Sequence, residues 1–130
     1  MKFFVNEEKR TVVAIVENCA NDFRSRISKN PFFSVIYVAD DYKGGEWTFM
    51  NDSYKGIAKC SPEDTFDVEI GKTIAMNRAL RKYYSDLRNK YSCFMNMLYE
   101  VIDIAQDNYE MVNDRLVNLI YDYEDMIFSE

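Results

Sequence analysis

Five acids near the C-terminus, Glu100, Asp103, Asp107, Glu110 and Asp114, are spaced 3, 4, 3 and 4 residues apart. On a helix turning about 100° per residue they fall within roughly 80° of one another and run about 21 Å along the axis. Leu98, Val101, Ala105, Tyr109, Val112, Leu116, Leu119 and Tyr123 line the opposite face. No lysine stands four residues from any of the five acids, so nothing on the helix itself neutralises the strip. Acids continue at Asp122, Glu124 and Asp125. The chemistry of such a row is attraction: a line of uncompensated carboxylates imitates a phosphate backbone and can occupy a basic groove on another protein. Two plainer readings stand beside it. One is the solvated side that every amphipathic helix needs. The other is partial neutralisation by the preceding basic stretch, folded back along the row.

Other groups carry weaker chemistry. Glu63, Asp64, Asp67 and Glu69 gather carboxylate oxygens as a divalent cation would want, but their spacing fits no Ca²⁺ loop, and helix capping explains them more simply. Cys60, before Ser61-Pro62, is the one nucleophile worth naming. The chain has no histidine, which removes the usual general base, the usual metal ligand and the near-neutral pH switch. Gly44-Gly45 lacks the flanking residues of a phosphate loop and reads as a hairpin turn. Trp47, beside Phe49 and Tyr37, is either a core residue or a stacking platform for bases. With Arg78, Arg81 and Arg88 it outlines a third function class, capture of a small signalling nucleotide. No catalytic residue, metal or cofactor is expected, and the chain is read as a non-enzyme.

Composition narrows the classes further. The chain has 130 residues, 48% of them apolar and 15% aromatic, with ten Tyr and nine Phe, enough for one domain with a real core. Three cysteines, Cys19, Cys60 and Cys93, are odd in number and far apart, which argues for reduced thiols rather than a disulfide framework or zinc site. No apolar run approaches a membrane span, and Met1 to Glu8 lacks the pattern of a signal peptide, so a cytoplasmic location in a bacterial host cell is expected. The net charge of −6 is unevenly spread: residues 70–92 hold six bases and one acid, and residues 99–130 hold nine acids and one base. Direct binding of nucleic acid by the last segment would be repelled.

The elements that must position these groups follow from periodicity. Residues 2–5 and 11–17 read as strands across a polar turn from Asn6 to Arg10. Residues 18–29 read as a short helix, with Asn18 as cap, Phe23 and Ile27 on one face and a stop before Pro31. Phe32 to Ala39, Glu46 to Met50 and Tyr54 to Cys60 read as a further strand group, with turns at Asp40 to Gly45 and at Asn51-Asp52-Ser53. Ser61-Pro62-Glu63-Asp64 reads as a turn or helix entry, and Asp67 as a second cap. A basic helix is expected over 67–90, with Ile70, Ile74, Leu80, Tyr83, Tyr84 and Leu87 as its apolar positions, then a break at Asn89 to Ser92 and an acidic helix over 92–127. The expected class is α+β: an antiparallel sheet of four to five strands in residues 1–66, then two long helices in 67–130 forming a hairpin or a coiled coil. One uninterrupted helix is the alternative.

The stretch Gly56-Ile57-Ala58-Lys59-Cys60-Ser61-Pro62-Glu63-Asp64-Thr65-Phe66-Asp67-Val68-Glu69-Ile70-Gly71-Lys72-Thr73-Ile74-Ala75 resembles a strand–turn–helix segment of small proteins from bacterial phages and prophages. The resemblance covers residues 56–80 and implies an α+β module of mobile-element origin, without an activity. Small acidic phage proteins include inhibitors of host defence such as anti-CRISPR proteins, a similarity of type. The expectation is therefore an inhibitor whose acidic face, Glu100 to Asp114, docks on a basic host protein such as a CRISPR nuclease or another nucleic-acid-binding protein. The alternative is a self-assembling protein, a homodimer through a coiled-coil seam.

Overall fold

A computed structural model describes the backbone of residues 1–42 and 49–128. The chain is α+β, with the order β1 (Lys2–Asn6), β2 (Thr11–Val16), α1 (Cys19–Ser28), α2 (Pro31–Tyr42), β3 (Tyr54–Lys59) and α3 (Val68–Phe128). It divides into two compact units, Met1–Cys93 and Phe94–Glu130.

In the first unit the sheet is antiparallel, with strand order β1-β2-β3. Asn6 Oδ1 accepts from Lys9 N at 3.0 Å and closes the first turn, and Arg10 leaves it with a positive φ of 53°. Register sets Phe3 opposite Ala14, and Ala14 opposite Gly56. Alternation then puts Val12, Ala14, Tyr54 and Ala58 on the buried side. These meet small residues of α3. A Cβ on Gly56 would lie 2.1 Å from Ala75 O and 2.4 Å from Ala79 N, and one on Gly71 would lie 2.7 Å from a Val12 methyl. Helix and sheet thus touch backbone to backbone, and only glycine fits at Gly56.

Residues 71, 75, 79, 83 and 87 follow one another at steps of four, which carries the stripe about 40° round the helix at each step. Gly71, Ala75 and Ala79 meet the sheet. Tyr83, further round, donates its hydroxyl hydrogen toward Asp22 Oδ2 and lies 3.4 Å from Cys19 O, joining α3 to α1. The helix α1 contributes Cys19, Phe23 and Ile27 to the core. The outer carbonyls of β3 are also taken: Arg78 Nη1 donates to Ile57 O at 2.6 Å and Lys82 Nζ to Lys55 O at 2.7 Å.

Several expectations change. Residues 32–39 form part of helix α2 rather than a strand. Asn30 Oδ1 accepts from Phe32 N at 2.9 Å and Pro31 takes the first helical position, so the signal that stops α1 also starts the next helix. Phe33 and Tyr37 then make edge-on ring contacts with Tyr91 and Phe23, and this packing outweighs the β propensity of the segment. The sheet therefore has three described strands instead of four or five. Gly44-Gly45 and Glu46 to Thr48 lie outside the described residues, while Phe49 and Met50 are not in a strand. The two expected helices are one, α3, with no break at Asn89 to Ser92, because nothing there removes a donor or demands a positive φ. Asn18 is the cap residue of α1 but makes no side-chain capping bond. Ile70 and Ile74, expected on the apolar face, are 59% and 39% exposed, since the close approach to the sheet selects alanine instead.

Candidate functional site

In the unit Phe94–Glu130 the acidic row lies within continuous α-helix, so its angular spacing holds. Glu100, Asp103, Asp107, Glu110 and Asp114 are all exposed, and no ion pair among the described residues involves them. Arg115, the one base of the segment, points roughly 100° away from the middle of the row. The helix α3 that carries the acids also carries the basic stretch 70–90. The opposite face is uncovered as well: every residue from Leu98 to Asp122 is exposed, with Tyr109 at 69% and Val112 at 65%. This helix offers two surfaces, one of carboxylates and one of apolar side chains.

The other carboxylate cluster serves as capping. Asp67 Oδ1 accepts from Glu69 N at 3.0 Å and Ile70 N at 3.3 Å, at the start of α3. Glu69 pairs with Lys72 at 3.7 Å, and Ser61 Oγ accepts from Glu63 N at 3.4 Å. Among the described residues no three acids or cysteines are grouped to hold a metal.

Cys60 has a neighbour that sequence reading missed. Arg10 Nη2 lies 3.4 Å from Cys60 Sγ, donates to Ser61 O at 3.1 Å, and also donates to Asp64 O. The guanidinium is thereby a clamp on the turn after β3. The left-handed backbone at Arg10, at the end of a tight turn, aims it there.

Arg78 and Arg81 share a groove of about 740 Å³ with Lys82, Tyr54, Ile57 and Asp86. The structure thus brings together two of the three arginines expected for nucleotide capture, but Arg88 does not line the groove. Tyr54 is held from within by donating to Asp86 Oδ2 at 2.6 Å. Of the expected stacking platform, Tyr37 lies on helix α2 rather than on a strand, and Trp47 falls outside the described residues.

Two buried phenols tie the first unit together. Burial first, and then the hydrogen bond to a carboxylate, raise the phenol pKa of Tyr83 (with Asp22) and of Tyr54 (with Asp86). The Tyr83 hydroxyl and then Arg26, 2.8 Å from Asp22 Oδ2, hold the Asp22 carboxyl below its ordinary range. Burial, with the Asp52 and Asp22 charges behind it, pushes the Cys19 thiol up.

The far face of the sheet was also missed. Phe4, Val13 and Ile57 are cross-strand neighbours there, with Phe4 and Ile57 exposed, and Lys2, Lys55 and Lys59 lie on the same face. The alternation signal is present in each strand, but only the register aligns the three. No described helix is long and apolar enough to cross a membrane. Comparison with protein families, with curated proteins and with solved structures finds no match.

Proposed function

We infer that this chain is a non-enzymatic binding protein that uses the acidic face of α3 to dock on a basic surface of another protein. The observation that carries this reading is the row Glu100, Asp103, Asp107, Glu110 and Asp114: all five exposed, in phase over about 21 Å of helix, and without an ion-pair partner among the described residues. Like charges at neighbouring turns repel, so the row costs the free helix some stability, and a cationic partner would relieve that cost. The partner that fits is a nucleic-acid-binding protein of the host cell, whose groove already carries basic side chains in a line. A CRISPR nuclease is the concrete case. Occupation of the groove would exclude guide RNA or target DNA, which makes the chain an inhibitor of the phage type.

The test is Asp103→Lys, Asp107→Lys and Glu110→Lys in one variant, compared with the unaltered chain for binding to such nucleases at low and high salt. The expected result is binding by the unaltered chain that weakens steeply with salt, and its loss in the triple variant with helix content retained. Binding that survives the triple reversal would overturn the reading.

A further inference from the structure

The apolar side of the same helix keeps the same alternating period as its acidic side. Ile102, Ala105, Tyr109, Val112, Leu116 and Leu119 alternate steps of 3 and 4, a heptad seam in which Ile102, Tyr109 and Leu116 take one core position and Ala105, Val112 and Leu119 the other. All are exposed. In this frame the five acids fall on two of the three outer positions, away from the seam. The positions flanking it include Gln106, Asn108, Asn113, Arg115 and Asp122, with one charge of each sign among them. Of the acids from Glu100 to Asp122, only Asp122 stands where a second copy would meet it.

We propose that the unit Phe94–Glu130 pairs with the same unit of a second copy, as an antiparallel two-stranded coiled coil centred between Tyr109 and Val112. The direction follows from side-chain volume. In a parallel pair each residue meets itself, so Ala105 against Ala105 leaves a void directly beside the crowded layer of Tyr109 against Tyr109. Reversal of one helix sets Tyr109 on Val112, Leu116 on Ala105 and Ile102 on Leu119. Each layer then joins a larger residue to a smaller or equal one, at the even density that packed interiors require. The arrangement is self-complementary about a two-fold axis, as a closed dimer demands. Its flanks pair Gln106 with Asn113 and Asn108 with Arg115, with no like charges facing. A foreign helix would be chosen by rows of charges on those flanks, and this chain carries there only Arg115 and Asp122. The acidic rows of the two copies end on opposite outer sides, so pairing leaves the docking face free, and the proposal stands independently of it.

Two measurements on the full chain test this. Sedimentation equilibrium is expected to give twice the 15.4 kDa chain mass at micromolar concentration, and Leu116→Asp is expected to return it to the single mass with unchanged helix content. A single mass for the unaltered chain up to about 100 micromolar, on the order of the weakest useful dimer, would overturn the proposal. For direction, Ile102→Cys and Leu119→Cys are made separately in a chain carrying Cys60→Ser and Cys93→Ser, and treated with a short bismaleimide. The antiparallel pair predicts a covalent dimer only when the two variants are mixed, because the two copies of residue 102 lie roughly 25 Å apart. Crosslinking of either variant with itself would overturn the stated direction. The charge-reversed variant should keep the doubled mass, and Leu116→Asp should keep binding to a basic partner.

Discussion

The two halves of α3 place different kinds of apolar residue at different periods. In the first half, Gly71, Ala75, Ala79, Tyr83 and Leu87 advance by four, and the three smallest lie against the sheet. In the second half the apolar residues are mostly large, advance by 3.5 on average, and are exposed. Steps of four spiral round a straight helix and suit a contact that begins on a sheet and ends on another helix. A 3.5 repeat keeps one line facing a partner that winds with it. One uninterrupted helix therefore serves two purposes. The first half completes a core with its own chain, and the second presents a surface that its own described residues leave open.

The sharpest way to break this contrast is Gly56→Ala. The added methyl would sit on the carbonyl of Ala75, which is backbone and cannot swing aside. The expected cost is about 3 kcal/mol or more in chemical denaturation, with the helical signal of the second half retained. A neutral result would mean that sheet and helix are not in backbone contact.

Tyr83→Phe should cost about 1–2 kcal/mol, since it removes the hydroxyl from Asp22 and from the Cys19 carbonyl. It should also flatten the pH dependence. Asp22 is held below its ordinary range, so its contribution is present above about pH 4 and is lost as pH falls through the lowered value. The Tyr83 phenol is raised, so its contribution is present below about pH 10 and is lost as pH rises toward the folded value. Thermal midpoints measured from acid to alkaline pH for the two chains would show both arms shrinking in the variant; parallel curves would sink the assignment.

Ile104→Glu, in the second half, should change the unfolding of the first unit by no more than about 0.5 kcal/mol, because Ile104 is 62% exposed. A loss comparable to that of Tyr83→Phe would show that the second half shares the core after all. Comparably small, and opposite in sign, should be the stability change in the triple lysine variant of the acidic row. The lysines introduced in place of Asp103 and Glu110 stand one turn from Glu100 and Asp114, and each such pair gains about 0.2–0.5 kcal/mol. Circular dichroism should read this as a slight rise in helicity; a fall would mean that the row does not repel itself.

Much of this contrast is legible in the sequence alone. The strands over residues 2–6, 11–16 and 54–59 and the helix over 19–28 follow from alternation and from the Phe23–Ile27 spacing. The acidic row needs only helical periodicity, which is local, and so it can be read in full. The role of Gly71 as a point of close helix–sheet approach is also readable from its place early in a helix. What cannot be read depends on residues far apart in the chain. Arg10 reaches Cys60 across 50 positions, and no local pattern announces that clamp. The segment 32–39 carries aromatic and β-branched residues that favour a strand by themselves, and only packing against Phe23 and Tyr91 makes them a helix. The Asn30-Pro31 pair is the local cue that points the other way. On the buried face of α3, side-chain size misleads as a guide to burial, because a close crossing buries alanine and leaves Ile70 at the rim.

The pairing of Arg78 with the Ile57 carbonyl and of Lys82 with the Lys55 carbonyl has a consequence for the molecule in a crowded solution. Those two carbonyls belong to the outer rim of β3, where an incoming strand would find its acceptors. With both acceptors engaged and two cations stationed beside them, the sheet cannot be extended at that rim. A fibre needs two open edges on every copy, and this sheet has at most one, along β1. Copies of this protein can then meet through their helices without being stitched into an endless ribbon through their sheets.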